Sequence, residues 1–124
     1  MHTILVVDDF ASIRQVVAET LQRHGFKTEQ ASDGQDALDK LKGGALQVDL
    51  ILSDFNMPNM DGLGLLRAVK GDPKLKKHPF ILLTSEQDTE KKRLAKEAGL
   101  DAWIQKPYKI ESFIGMISYT INKK

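Results

Sequence analysis

Apolar runs of strand length alternate along this chain with segments of helical period. Thr3 to Val7 is apolar and β-branched and predicts a buried strand. Ile13, Val16, Val17 and Leu21 then recur at the spacing of one helix face. Ser12 with Gln15 three residues on fits a capping box, and Gly25 fits the C′ position that ends a helix. Phe26 to Ala31 alternates weakly and predicts an edge strand. Ala37, Leu38 and Leu41 mark a short second helix ended by Gly43-Gly44. Leu50 to Ser53 predicts a third strand. Leu63, Leu66 and Val69 mark a third helix, stopped by Gly71-Asp72-Pro73. Phe80 to Thr84 predicts a fourth strand, and a polar helix follows from about Thr89 to Ala98, closed by Gly99. Ala102 to Gln105 predicts a fifth strand. Ile110, Phe113, Ile114, Ile117 and Ile121 define the inward face of a last helix.

Five strands and five helices in strict alternation imply right-handed crossovers and a parallel sheet covered on both faces. The predicted fold class is therefore α/β, a single doubly wound five-stranded parallel sheet with five helices. Ligands of such sheets bind outside the carboxyl ends of the strands. Asp8 and Asp9 follow the first strand, Asp54 the third, Thr84 closes the fourth, with Ser85 and Glu86 after it, and Lys106-Pro107 follows the fifth.

Composition narrows what such an edge can do. The 124 residues are of one-domain length, so residues 1–124 are expected to form one domain with no output domain. There is no cysteine, which removes disulfides and thiolate metal sites. A net charge of +1 argues against bulk binding to nucleic acid. Two basic runs, Lys74, Lys76, Lys77 and Lys91, Lys92, Arg93, read as solvated faces. His2, His24 and His78 are scattered and read as surface or structural residues. The chain starts directly on a strand without a signal or transit pattern, and no apolar stretch reaches the roughly 20 residues of a membrane span. The expectation is a soluble cytoplasmic protein, without membrane or nucleic-acid partners.

Asp8, Asp9 and Asp54 together carry −3, and carboxylates crowded at one edge need a cation. Lys106 supplies one positive charge and Mg²⁺ would bring the cluster to zero. Mg²⁺ suits a site of one or two carboxylates, waters and phosphate oxygens. The set is too small for a closed Ca²⁺ cage, and it lacks the His or Cys that zinc prefers. A carboxylate can act as a nucleophile and form an aspartyl phosphate. Asp54 is the candidate nucleophile, Asp8 and Asp9 the candidate metal holders, and Thr84 and Lys106 the hydroxyl and ammonium for phosphoryl oxygens. Other phosphate motifs fail: there is no G-x-x-x-x-G-K-[ST] loop, and Gly62-Leu63-Gly64 lacks the third glycine of a dinucleotide site.

In combination, Val6-Val7-Asp8-Asp9, Asp54 through Pro58, Met60-Asp61-Gly62, Thr84 and Lys106-Pro107 resemble the receiver domain of two-component response regulators. Asp9-Phe10, Ser53-Asp54, Asn56-Met57-Pro58-Asn59-Met60-Asp61-Gly62-Leu63 and Glu86 resemble more narrowly the single-domain chemotaxis regulators of the CheY type. The resemblance implies a flavodoxin-like fold with strand order 2-1-3-4-5. It implies Asp54 as phospho-acceptor, Asp8 and Asp9 as the acidic metal pair, and the backbone carbonyl of Asn56 as a further Mg²⁺ ligand beside Asp54. It also implies a cis Lys106-Pro107 bond. In the family, Thr84 is coupled to an aromatic residue on strand five. That residue is Trp103 here, where Tyr or Phe is usual, and an indole needs a partner for its N–H when buried. Asn56 and Glu86 stand where the family tunes hydrolysis of the aspartyl phosphate. Neither is bulky or apolar, so a phosphorylated state lasting seconds to minutes is expected.

The function so implied is a monomeric switch, phosphorylated by a sensor histidine kinase, that signals by binding another protein such as a flagellar motor switch component in chemotaxis. It would be no enzyme beyond dephosphorylating itself. A phosphorelay intermediate or another stand-alone regulator would share these features. A Mg²⁺-dependent phosphatase with an aspartyl-phosphate intermediate would need an acid near Asp54, and Asn56 does not supply one. A receiver locked in one state is the remaining alternative, raised by Trp103.

Overall fold

The computed structural model describes residues 2–44 and 46–123. Its strands are β1 (Thr3–Val7), β2 (Lys27–Ala31), β3 (Leu50–Ser53), β4 (Phe80–Thr84) and β5 (Ala102–Gln105). Its helices are α1 (Ala11–Arg23), α2 (Gly34–Lys42), α3 (Gly62–Lys70), α4 (Thr89–Glu97) and α5 (Ile110–Asn122). The strands form one parallel sheet in the order β2-β1-β3-β4-β5, the flavodoxin-like order. Alternate side chains of each strand feed two cores. Leu5, Val7, Ile51, Phe80 and Leu82 pack with Leu38, Leu66 and Val69, while Ile4, Val6, Leu50, Leu52 and Ile81 pack with Leu21, Phe113 and Ile117. The central strands β1, β3 and β4 are buried on both faces, which is why they read as continuous apolar runs.

Helix starts depart from the sequence reading in one place. The N-cap of α1 is Phe10 and no side chain caps it, so the Ser12–Gln15 capping box is not formed. Ser12 already lies inside the first turn, and Gln15 pairs instead with Glu19 and Gln30. What fixes the start is Asp8, whose Oδ1 accepts the Phe10 N–H at 2.9 Å. The inward face is also rotated. Val17, Ala18, Thr20 and Leu21 are buried, whereas Ile13 and Val16 are 40% and 57% exposed. Ile110, the first residue of α5, is 47% exposed as well, because the helix only meets the sheet at Phe113. The other end of α1 follows the expectation. Gly25 has φ +91, and the N–H groups of Gly25 and Phe26 bond the carbonyls of Gln22 and Leu21, a Schellman closure.

The register explains how the candidate residues meet. Val7 lies beside Ser53 and Ala31, and Thr84 beside Gln105. The ladder then runs one residue past the strands. Asp8 N–H bonds Ala31 O at 3.2 Å, Asp54 N–H bonds Val7 O at 3.0 Å and Lys106 N–H bonds Thr84 O at 2.9 Å. Each of these residues is thus held by sheet hydrogen bonding although it sits in a loop.

Candidate functional site

Asp8, Asp9 and Asp54 converge at this carboxyl edge, each offering an oxygen within 4.8 Å of the others. Asp8 is buried and the other two are half-buried. Burial pushes the Asp8 carboxyl above its ordinary value. The Phe10 N–H opposes this, the charge of Asp54 adds to it, Lys106 opposes, and Asp9 adds the smallest share. Asp9 Oδ1 is buried with no hydrogen-bond partner among the described residues. A buried carboxylate oxygen left unpaired is costly, and a hard divalent cation among oxygen donors removes the cost. The donor set therefore fits Mg²⁺, with Asp8, Asp9 and Asp54 able to hold it. Asp54 Oδ1 accepts the Phe55 N–H at 2.7 Å, which fixes the carboxylate against the following peptide.

Lys106 Nζ lies 4.0 Å from Asp8 Oδ2, so one cation already faces the acidic cluster. The Lys106–Pro107 bond is cis, as the resemblance implied. Thr84 is fully buried, and its hydroxyl accepts the Glu86 N–H at 3.1 Å, which leaves its own proton available for donation. His2 and His24 stand apart, beside Asp49 and bonded to the Thr20 carbonyl respectively.

Glu86 and Asn56 are joined directly. Asn56 Nδ2 donates to Glu86 Oε1 at 3.2 Å, linking the loops after β3 and β4. Lys91 Nζ donates to the same oxygen at 2.9 Å. With these partners and the Asp88 N–H, Lys91 foremost, the Glu86 carboxyl is pulled down to about 2. The basic run of α4 is thus only partly a solvated face. Arg93 pairs with Glu90 and Glu97 on the helix surface, while Lys91 is half-buried 5.4 Å from the centre of the Phe55 ring. The run Lys74, Lys76, Lys77 is exposed as expected.

Trp103 is half-buried and packs on the core formed with α2 to α4. Its ring lies 5.8 Å from that of Phe55, with Lys92 Nζ 5.5 Å from the indole. The indole N–H finds its partner in Gln105 Oε1 at 3.3 Å, and Gln105 Nε2 donates to the Thr84 carbonyl at 3.3 Å. Trp103 and Gln105 share one face of β5, two residues apart. Gln105 and Lys91 were missed as site residues. The i, i+2 spacing of Trp103 and Gln105 could have signalled the first, whereas the tertiary approach of α4 to Glu86 leaves no local mark in the sequence.

The loop carrying Asp54 is fastened from both sides. Gly62 opens α3 beneath it, and a Cβ there would meet the Asp54 carbonyl oxygen at 2.4 Å. Asn59 has φ +68, and its amide donates to Asp33, the N-cap of α2, at 2.7 Å.

Residues 4–118 match the model of the response regulator receiver domain. The chain is 40% identical over 106 residues to chemotaxis protein CheY-3 of Vibrio cholerae, covering 85% of this chain and 80% of that protein. The solved structure of V. cholerae chemotaxis protein CheY4 superposes with a TM-score of 0.87 at 38% identity, over 97% of this chain and 98% of that one. The signal receiver domain of a signal transduction histidine kinase from Syntrophus aciditrophicus superposes with a TM-score of 0.90 at 32% identity, over 99% and 92%.

Proposed function

This chain belongs to the response regulator receiver domain family, and from that premise we propose that it is a phosphorylation-driven switch whose acceptor is Asp54. The observation that carries the reading is the convergence of three carboxylates within 4.8 Å, with Asp9 Oδ1 buried and unpartnered among the described residues and Lys106 beside Asp8. A static structural cluster would satisfy that oxygen internally. A site awaiting a cation and a phosphoryl group has reason not to.

In the reaction, an Asp54 carboxylate oxygen attacks phosphorus and the P–N bond of a kinase phosphohistidine breaks. The electron pair leaves with the imidazole, which takes a proton from solvent. The hydrogen bond from Phe55 to Oδ1 orients the Asp54 carboxylate, and we assign the attack to Oδ2. Asp8, Asp9, Asp54 and the Asn56 backbone carbonyl would hold Mg²⁺, which when bound supplies positive charge against the phosphoryl oxygens. Lys106 leaves Asp8 to donate to one phosphoryl oxygen, and the Thr84 hydroxyl donates to another. Thr84 reaches the group by moving from its buried position, and Gln105, bonded to the Thr84 backbone carbonyl and to the Trp103 indole, is the link we assign between that loop and the surface of β5. The indole N–H is satisfied by Gln105 on its own strand, so its polarity alone does not lock the ring.

The output is binding to a partner protein. Similarity to the two Vibrio chemotaxis proteins favours chemotaxis, and a flagellar motor switch component is the partner that the resemblance to single-domain chemotaxis regulators implies. The likeness to a histidine kinase's own receiver supports a second reading, a relay station between a kinase and a further phosphotransfer protein.

Trp103 is the only tryptophan, so its emission reports one place. Adding a small acyl phosphate with Mg²⁺ should change that emission and add one phosphoryl group by intact mass, with neither change in Asp54→Asn. Phosphorylation with no response at Trp103 would remove the proposed coupling. Steady turnover of a free phosphomonoester, lost in Asp54→Asn, would instead support the phosphatase.

A further inference from the structure

Lys91 sits on the first turn of α4, where the Asp88 N-cap accepts its backbone N–H at 3.3 Å. Its ammonium turns away from the helix's charged surface pairs, toward Glu86 Oε1 at 2.9 Å and the Phe55 ring at 5.4 Å. Glu86 is thereby held on both oxygens. Oε1 accepts from Lys91 and from Asn56, and Oε2 accepts from the N–H groups of Gln87 and Asp88 at 3.2 and 3.1 Å. The Asn56–Glu86 bond joins residues two beyond Asp54 and two beyond Thr84, so it ties together the loops that flank both. Among the described residues, Lys91 is the cation paired with this carboxylate. Without it, Glu86 Oε1 keeps only the neutral Asn56 amide, and the link between the two loops loses its charged partner.

We propose that Lys91 is a positioning residue for dephosphorylation, holding the Glu86–Asn56 bridge closed and so limiting how water reaches phosphorylated Asp54. The proposal rests on Asp54 being the phosphoryl acceptor. In the step concerned, water oxygen bonds to phosphorus and the bond from phosphorus to the Asp54 oxygen breaks. The electron pair returns to the carboxylate, and inorganic phosphate leaves with the remaining water proton passing to solvent. Lys91 touches none of the reacting atoms in this arrangement. Its effect passes through Glu86, and it makes α4 part of the timing of the signal: whatever engages Lys91 from outside competes with Glu86 for it.

The test uses the whole chain, phosphorylated with acetyl phosphate and Mg²⁺, freed of donor by rapid desalting, and followed by intact mass. Lys91→Met should lose its phosphoryl group about fivefold faster than the wild type, the rate equivalent of one ordinary hydrogen bond. Lys91→Arg should restore the slow rate, because the charge and reach are kept. Glu86→Gln should also be fast, and adding Lys91→Met to it should bring no further acceleration, since both act through one bridge. A Lys91→Met rate equal to or below the wild-type rate overturns the proposal. So does a Lys91→Arg protein as fast as Lys91→Met, or an accelerating effect of Lys91→Met that persists in the Glu86→Gln background. A wild-type protein that takes up no phosphoryl group overturns the acceptor reading itself, and this proposal with it.

Discussion

Asp8→Asn should make the metal-free protein more stable. Asp8 is 5% exposed, lies with Asp9 and Asp54 in a group whose oxygens are within 4.8 Å, and its carboxylate has, among the described residues, one ion-pair partner, Lys106, at 4.0 Å. Two repulsions at no more than 4.8 Å against one attraction at 4.0 Å leave a net penalty of about 1–3 kcal/mol, taking effective dielectric constants from that of water down to about 20. Asn removes the charge and keeps the Oδ1 acceptor for the Phe10 N–H. For a domain of this size the gain is about 4–12 °C in Tm. The sign of the pH dependence follows from the same crowding. The folded Asp8 carboxyl is raised above its ordinary value, first by burial. Its contribution to stability is therefore present below the unfolded pKa and lost as pH rises through the raised folded value. The metal-free wild type should carry that loss between acid and neutral pH, and Asp8→Asn should not. Melts followed by circular dichroism, in chelator and across pH 3 to 7 (about 3 to 7, the window set by ordinary carboxylate values), measure both effects. Added Mg²⁺ should then raise the wild type more than the variant and narrow the gap, since a ligand bound only by the native state stabilises it. A variant that melts at or below the wild type in chelator would refute the argument that the triad is a strained charge cluster.

Gly62→Ala should destabilise the fold by about 1–3 kcal/mol, because the new Cβ would sit 2.4 Å from the Asp54 carbonyl oxygen; an unchanged Tm would mean that the loop yields freely. Gln105→Leu should cost about 1 kcal/mol and shift Trp103 emission to the red as the indole N–H turns to water; fluorescence and a thermal melt check this, and an unchanged emission maximum would show that Gln105 does not hold the ring. Asp33→Ala removes both the α2 N-cap and the anchor of Asn59, for a loss of about 1–2 kcal/mol in denaturant unfolding; a loss no larger than that of Asp33→Ala made in an Asn59→Ala background would show that Asn59 does not depend on it.

Much of the fold was legible because its central strands are buried on both faces. Leu50–Ser53 and Phe80–Thr84 stand out as apolar runs bounded by polar residues, and Gly25 and Gly99 mark helix ends that require positive φ. The convergence of Asp8, Asp54, Thr84 and Lys106 also follows from sequence, since all four stand at the carboxyl ends of parallel strands. What the pattern misassigned depends on tertiary distance. Ile13 and Val16 have helical spacing, yet only Val17 and Leu21 on that side reach the sheet. Ser12 and Gln15 have the spacing of a capping box, but the start of α1 is set by the Asp8 carboxylate, which binds the Phe10 N–H first. Lys91 looked like its neighbour Arg93, and only the approach of α4 to the loop after β4 separates the two. The partner of the Trp103 indole, Gln105, lies in plain view two residues away, but that the two side chains meet is a matter of rotamers.

The proposed phosphoryl acceptor is Asp54, and not Asp8 or Asp9. Treating the protein with a small acyl phosphate and Mg²⁺, trapping the acyl phosphate by borohydride reduction to homoserine, and sequencing the peptides by mass spectrometry tests it directly. Homoserine is expected at position 54 alone, and none when Mg²⁺ is chelated or in Asp54→Asn. Reduction at position 8 or 9 in the wild type, or a protein that remains unmodified with Mg²⁺ and donor present, would contradict it.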